Sequence, residues 1–109
     1  MPASIPTVLL FSYGTLRDKR VQIANFGRGL TGREDALPGY ARRMVSGGES
    51  HHANAELSSN PEDAVSGTVF EITEQELAAA DKYEEVAEYG RISVTLRSGV
   101  QAWVYVHRG

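Results

Sequence analysis

Apolar and polar residues alternate along several stretches of the chain, and a period of two is typical of β-strands. An uninterrupted apolar run over residues 8–11 predicts a first strand that is buried on both faces. Alternation predicts further strands over residues 67–72, 91–96 and 100–106. The last two strands flank a Ser-Gly turn at residues 98–99, which indicates a β-hairpin.

The middle of the chain is less regular. Loose alternation predicts short strands over residues 30–37 and 40–45, separated by a turn at Pro38 and Gly39. Residues 46–64 contain a Gly-Gly pair, two histidines and an Asn-Pro step, with little periodicity. We therefore expect this segment to be mostly loop.

Two segments carry the signals of helices. Asp18 is placed to cap a helix over residues 19–26, and a glycine follows that segment. Thr73 and Glu76 have the spacing of a capping box and precede a run of alanines, so a second helix should extend to about residues 83–85. Strands together with two helices predict an α+β fold, with a curved sheet or a small mixed β-barrel and flanking helices.

Length and composition narrow the class of protein. A chain of 109 residues fits one domain, over residues 1–109, and its 41% hydrophobic content is normal for a globular protein. Eleven Lys and Arg against fourteen Asp and Glu give a formal net charge of −3, which argues against general nucleic-acid binding. The absence of cysteine excludes disulfides, thiolate metal sites and a cysteine nucleophile.

No apolar run approaches the roughly 18 residues of a membrane span, so we expect no membrane association. The first six residues lack the positive charge that begins a signal peptide. These observations favour a cytoplasmic protein.

One glycine pattern matches a known motif only by its letters. Gly27, Gly29 and Gly32 have the spacing of a dinucleotide-binding fingerprint. That fingerprint requires a strand before it and a helix opening on it. Here a predicted helix precedes the glycines and no βαβ unit follows, so we expect no nucleotide cofactor.

A second cluster contains residue types that bind metals. Glu49, His51, His52 and Glu56 lie close together in the segment expected to be a loop. Metal ligands usually lie on rigid elements with supporting hydrogen bonds, which favours a solvated loop and no metal site. Ser50 beside His51 lacks the strand, turn and helix around a hydrolase nucleophile.

The end of the first strand is a candidate ligand site. Gly14 permits close approach of a ligand to the backbone, and successive N–H groups over residues 13–17 could bind an anion. An ordinary strand-ending turn is the alternative. Arg17, Lys19 and Arg20 either form a solvated helix face or orient an anionic ligand nearby.

A carboxylate near the end of the second helix is the strongest candidate for chemistry. Leu77, Ala80 and Glu84 fall on one stripe of that helix, which places Glu84 on the predicted core face. Burial and the negative end of the helix dipole both raise the pKa of such a carboxyl group. The alternatives are that the helix frays first, or that Glu84 pairs with Arg91. Glu85 projects elsewhere and should be solvated.

The same segments carry a resemblance to a known family. They are residues 8–17, 37–40, 67–72, 77–94 and 102–106, in that order. Together they resemble the γ-glutamylcyclotransferase-like family, and within it the branch of AIG2-like and γ-glutamylamine cyclotransferases. The resemblance spans residues 8–106 and implies a small mixed β-barrel with flanking helices.

The resemblance also implies roles for individual residues. The backbone N–H groups of one segment would bind the α-carboxylate of a γ-glutamyl group, and that segment is Tyr13, Gly14, Thr15 and Leu16. Glu84 would be the catalytic acid and base, and Tyr105 would line the pocket. Glu85 stands where the family usually has glycine.

The implied reaction converts a γ-glutamyl amide or amine to 5-oxoproline and a free amine, without metal or cofactor. The substrate's own α-amine attacks its γ-carbonyl. The implied partner is a small γ-glutamyl compound. A binding module of the same fold without turnover, or an interaction domain with a vestigial pocket, are the alternatives. The sequence specifies neither the leaving amine nor the oligomeric state.

Overall fold

The computed structural model describes residues 8–47, 50–86 and 88–107. Seven strands, two α-helices and one short 3₁₀ turn make up this part of the chain. In chain order they are β1 (Val8–Ser12), the 3₁₀ turn (Thr15–Arg17), α1 (Lys19–Phe26), β2 (Gly32–Pro38), β3 (Tyr40–Gly47), β4 (Ser50–Leu57), β5 (Ala64–Ile72), α2 (Glu74–Glu85), β6 (Tyr89–Thr95) and β7 (Gln101–His107).

Five of these strands form one sheet in the order β2-β5-β1-β7-β6, and β3 pairs with β4 in a separate hairpin. Strand β1 is antiparallel to β5 and parallel to β7. The turn after β6 reaches the far edge strand, where the N–H of Arg97 donates to the carbonyl of Ala36 at 2.8 Å. The predicted α+β class is confirmed. The described strands form a curved sheet and a hairpin rather than one closed barrel.

The central position of β1 explains its continuous apolar run. Leu10 and Phe11 point to opposite faces of the sheet, and both are buried. Phe11 packs in an inner core between the sheet and the hairpin. Leu10 packs in a helix-side core beneath α1 and α2. The inner core comprises Phe11, Tyr13, Leu37, Ala55, Val65, Val69, Leu96, Ala102 and Val104. The helix-side core comprises Leu10, Leu16, Leu30, Phe70, Ile72, Leu77, Ala80 and Tyr105.

Both helices begin as their capping residues predict. The Asp18 carboxylate accepts a hydrogen bond from the N–H of Arg20 at 2.8 Å. Thr73 and Glu76 form both hydrogen bonds of the capping box, at 3.1 and 2.9 Å. Glu76 also binds the guanidinium of Arg28 at 2.7 and 2.8 Å, which ties the start of α2 to the end of α1. Neither α-helix in the described ranges has the length and apolar character needed to cross a bilayer.

The segment expected to be mostly loop contains a strand, so that expectation was wrong. Residues 50–57 form β4 and pair antiparallel with β3. Beyond this pairing with the adjacent strand, β4 is also held by contacts from distant parts of the chain. The N–H of Ala55 donates to the hydroxyl of Tyr13 at 3.1 Å, and Asn54 accepts from the N–H of His107 at 2.9 Å. Such contacts leave no periodic pattern in the sequence of the strand itself.

Candidate active site

The turn after β1 is held in place by its own side chains and by α1. Leu16 is buried in the helix-side core, and its carbonyl accepts a hydrogen bond from the amide of Gln22 at 2.8 Å. The guanidinium of Arg17 donates to the carbonyl of Tyr13 at 3.1 Å. Within the described residues, the N–H groups of Thr15 and Leu16 donate to no protein acceptor. The turn is therefore fixed while two of its donors stay available.

Gly14 faces open space. A Cβ atom built at this position meets nothing within 4 Å, and its φ of −133° is accessible to any residue. Neither the space around the Cβ position nor the φ angle therefore requires glycine here. Gly32 differs, because a Cβ there would overlap the ring of Phe70. Gly27 is the left-handed C-cap of α1, with a φ of 74°. Two glycines of the apparent dinucleotide motif thus have structural roles, since Gly27 caps α1 and Gly32 packs against Phe70.

Glu84 lies on the inward face of α2, as the helical projection predicts. Leu77 and Ala80 on the same stripe are 8% and 0% exposed, Glu84 is partly buried, and Glu85 is exposed. Burial raises the pKa of the Glu84 carboxyl group to about 7. A carboxyl group with this pKa is ionised in half of the molecules near neutral pH, so it can both accept and donate a proton.

The alternative pairing of Glu84 with Arg91 does not form. The guanidinium of Arg91 binds Asp81 instead, with Nε 3.0 Å from Oδ1 and Nη2 3.2 Å from Oδ2. Asp81 also accepts a hydrogen bond from the Tyr105 hydroxyl at 2.7 Å. Within the described residues, no ion pair or hydrogen bond engages the Glu84 carboxylate.

Three tyrosines are close enough to this carboxylate for its charge to act on them. Burial is the main cause that raises the pKa of Tyr13, Tyr89 and Tyr105, and the charge of Glu84 adds to the rise in each case. Glu84 therefore lies within electrostatic range of all three rings. The Tyr13 hydroxyl donates to the carbonyl of Tyr105 at 2.7 Å and accepts from the N–H of Ala55. Tyr13 and Tyr105 are thus built into the framework of the site.

The turn and the end of α2 are joined directly. The hydroxyl groups of Thr15 and Tyr83 are 3.0 Å apart and share a hydrogen bond. This contact connects the available N–H groups to the residue before Glu84. The structure therefore brings together the predicted residues of the turn, Glu84 and Tyr105. Sequence reasoning missed Tyr83 and Asp81, although both lie in the segment that carries the family resemblance.

The other candidates lie outside this site. Arg20 forms an exposed ion pair with Asp18 at 3.1 Å, as expected of a solvated helix face. An open groove of about 510 Å³ lies over β2 and β5, and its lining includes Arg17 and Arg97. Neither Glu84 nor Tyr105 lines that groove.

The suggested metal ligands are only partly covered by the structure. Glu49 lies outside the described residues, as do the side chains of His51 and His52. Glu56 forms an ion pair with Arg43 at 2.9 Å. In the part of the chain that the structure describes, no three His, Asp or Glu side chains are grouped to hold a metal ion.

Several solved structures have a fold similar to that of this chain. The solution structure of a protein from Arabidopsis thaliana is similar, with 23% identity and a TM-score of 0.76 over 98% of this chain and 66% of that one. A solved gamma-glutamyl cyclotransferase matches with 22% identity and a TM-score of 0.75 over 94% of this chain and 67% of that one. An AIG2-like protein from Mus musculus matches with 23% identity and a TM-score of 0.65 over 91% of this chain and 76% of that one.

These likenesses establish the fold. The chain spans about two thirds of the length of the first two structures. No match was found among curated proteins. The family described as "Gamma-glutamyl cyclotransferase, AIG2-like" matches residues 10–109, which include the turn after β1, Glu84 and Tyr105. The chain therefore belongs to the AIG2-like gamma-glutamyl cyclotransferase family.

Proposed function

We propose that the protein is a cyclotransferase that converts a γ-glutamyl amide or amine to 5-oxoproline and a free amine. Membership of the family supports the class of reaction. The observation that carries the proposal is the Glu84 carboxyl group. It is partly buried, has a pKa raised to about 7, and directly follows Tyr83, which is hydrogen-bonded to Thr15 in the turn after β1.

The proposed reaction occurs within one substrate molecule. The α-amine arrives protonated, and Glu84 removes a proton from it. The freed amine attacks the γ-carbonyl carbon, so a C–N bond forms and closes the five-membered ring. As the bond to the leaving amine breaks, Glu84 gives that amine the first proton. It then relays the second proton, which the ring nitrogen gives up, so the amine departs as an ammonium ion. Atoms and charge balance without water, metal or an external nucleophile.

Holding the substrate in the folded conformation supplies much of the rate enhancement. Well-oriented intramolecular reactions gain up to about 7–11 kcal/mol in this way. The N–H groups of Thr15 and Leu16 would bind the α-carboxylate and so place the amine toward Glu84. The Thr15–Tyr83 hydrogen bond holds the turn that carries those N–H groups against the end of α2. Tyr105 supports α2 on the same side of the site, because its hydroxyl donates to Asp81.

The experiment that tests the proposal is incubation with a panel of γ-glutamyl amines and dipeptides, followed by mass spectrometry of the first product. We expect 5-oxoproline, and we expect an Nα-acetylated compound to give no product because its amine is blocked. Glutamate as the first product would show a hydrolase and refute the cyclotransferase reaction. Binding without any product would identify the alternative, a binding module.

Two matched variants test the role of Glu84. Glu84→Gln should fold and lose at least about 100-fold in rate, the usual effect of removing a general base. Glu85→Gln changes the neighbouring exposed carboxylate and should stay within about twofold of the wild type, because Glu85 does not face the site. The reverse outcome would move the catalytic role by one residue.

A further inference from the structure

A cation is bound by a carboxylate three residues before the proposed base on the same helix. Arg91 of β6 is opposite Tyr105 of β7 in the register of the sheet, so both side chains point toward α2. The guanidinium lies 4.2 Å from the centre of the Trp103 ring and forms two contacts with Asp81, at 3.0 and 3.2 Å. Arg91 is therefore held on one face by an aromatic ring and at its edge by a carboxylate.

Asp81 and Glu84 are close neighbours on the same helix. Residues three apart on an α-helix have Cβ atoms about 5–6 Å from each other. The pKa of Tyr105 supports this proximity, because after burial it responds to the hydrogen bond of Asp81 and to the charges of both Arg91 and Glu84. A guanidinium released from Asp81 would need to move by only one helical turn to reach Glu84.

We propose that Asp81 is a positioning residue that holds Arg91 on Trp103 and so prevents it from forming an ion pair with Glu84. The value of this arrangement rests on the proposed function. A Glu84 carboxylate paired with a guanidinium would be a weaker base, because an opposite charge within about 4–6 Å lowers the pKa of a carboxyl group by about 1–3 units.

Among the residues that the structure describes, the other groups around Glu84 supply no competing cation. Tyr13, which follows β1, and Tyr89 of β6 both respond to its charge, and both have raised pKa values, so both are neutral at pH 7. Glu85 is exposed on another face of the helix. Arg42 of β3 acts weakly on Tyr13, and His107 of β7 lies 4.0 Å from Glu88 and packs edge-on against Tyr89.

The test is the pKa of Glu84 itself, measured by carbon-13 NMR titration of glutamate side-chain carboxyl groups. In Asp81→Asn we expect the pKa of Glu84 to fall by about 1 unit or more, because Arg91 is no longer neutralised or held. The double variant Asp81→Asn with Arg91→Gln should return the pKa to within a few tenths of the wild-type value. Glu85→Gln removes an anion from the same helical turn without freeing a cation, and it should shift the pKa of Glu84 by about 0.3 units or less.

A folded Asp81→Asn variant with an unchanged Glu84 pKa would overturn the proposal and leave Asp81 a merely structural residue. If Asp81→Asn does not fold, Arg91→Gln gives a second reading. It leaves the Asp81 anion uncompensated and should raise the pKa of Glu84, and an unchanged value there would also overturn the proposal.

Activity provides an independent measurement. In wild type, the acidic limb of the kcat/KM profile should follow the pKa of Glu84, and in Asp81→Asn it should move to lower pH with a reduced maximum. The NMR titration needs no turnover. A protein that converts no γ-glutamyl compound would refute the proposed function, whereas the titration would still decide the role of Asp81.

Discussion

Replacing Glu84 with glutamine should stabilise the protein at alkaline pH and leave its stability nearly unchanged at acid pH. The physical reason is that burial disfavours the ionised form of this carboxyl group. Glutamine has nearly the same shape and no charge, so the variant avoids this unfavourable ionisation. The proposed base would therefore be a residue that destabilises the fold under the conditions in which it works.

The sign follows from proton binding in the two states. The folded pKa is raised to about 7 from an ordinary value of 4.5, so between these values the folded protein keeps a proton that the unfolded chain has released. The stability of the wild type therefore falls as pH rises through this window. The shift of about 2.5 units at about 1.36 kcal/mol per unit gives a difference of about 3 kcal/mol above pH 8. Solvent screening of a partly exposed carboxylate makes this an upper value.

Urea denaturation measures the effect directly. The chain contains a single tryptophan, Trp103, which packs under Arg91 and reports unfolding by its fluorescence. The free-energy difference between Glu84→Gln and wild type should be near zero at pH 4 and should grow up to pH 8. Glu85→Gln is the matched control and should differ from wild type by less than about 0.5 kcal/mol throughout. A difference for Glu84→Gln that does not change with pH would refute the assignment of a buried, titrating carboxylate.

Three further changes test the turn and the framework. Gly14→Val should fold normally, since its Cβ meets nothing within 4 Å, yet lose measurable affinity for γ-glutamyl compounds in calorimetry; unchanged affinity would remove the turn from the site. Tyr13→Phe leaves the buried N–H of Ala55 without its acceptor and should lower the free energy of unfolding by about 1–3 kcal/mol, whereas a neutral effect would contradict the described hydrogen bond. Glu76→Ala removes the capping box and the partner of Arg28, and it should lower the free energy of unfolding by about 1–2 kcal/mol in urea denaturation. A loss below about 0.3 kcal/mol would show that neither contact matters.

The parts of the fold that the sequence predicted are those with local causes. The capping box at Thr73 and Glu76 lies within four residues, and the β6–β7 hairpin is specified by alternation on both sides of one turn. Strand β4 was missed because its sequence has little periodicity, and contacts that support it come from Tyr13 and His107, which are 42 and 53 residues away from their partners. A helical projection likewise located Glu84, since local spacing places it on the same stripe as Leu77 and Ala80.

The surroundings of Glu84 were harder to predict. Which partner Arg91 takes depends on the register that sets it opposite Tyr105 and on a helix ten residues earlier in the chain. The sequence alone allowed Arg91 to pair with Glu84, and the structure shows that Asp81 takes that role. Asp81 and Glu84 are about one helical turn apart. Which of them binds Arg91 thus decides whether the proposed base is neutralised by an ion pair.

The end of α2 is chemically unfavourable for a helix, and this bears on how the site is built. Glu84 and Glu85 place carboxyl groups at the negative end of the helix dipole, where cations are preferred. The contacts that offset this repulsion come from the sheet and the turn. Arg91 binds Asp81, and Thr15 binds Tyr83. Because these contacts hold the end of α2 against the sheet and the turn after β1, weakening either should disturb the geometry of the proposed reaction as well as the stability of the fold.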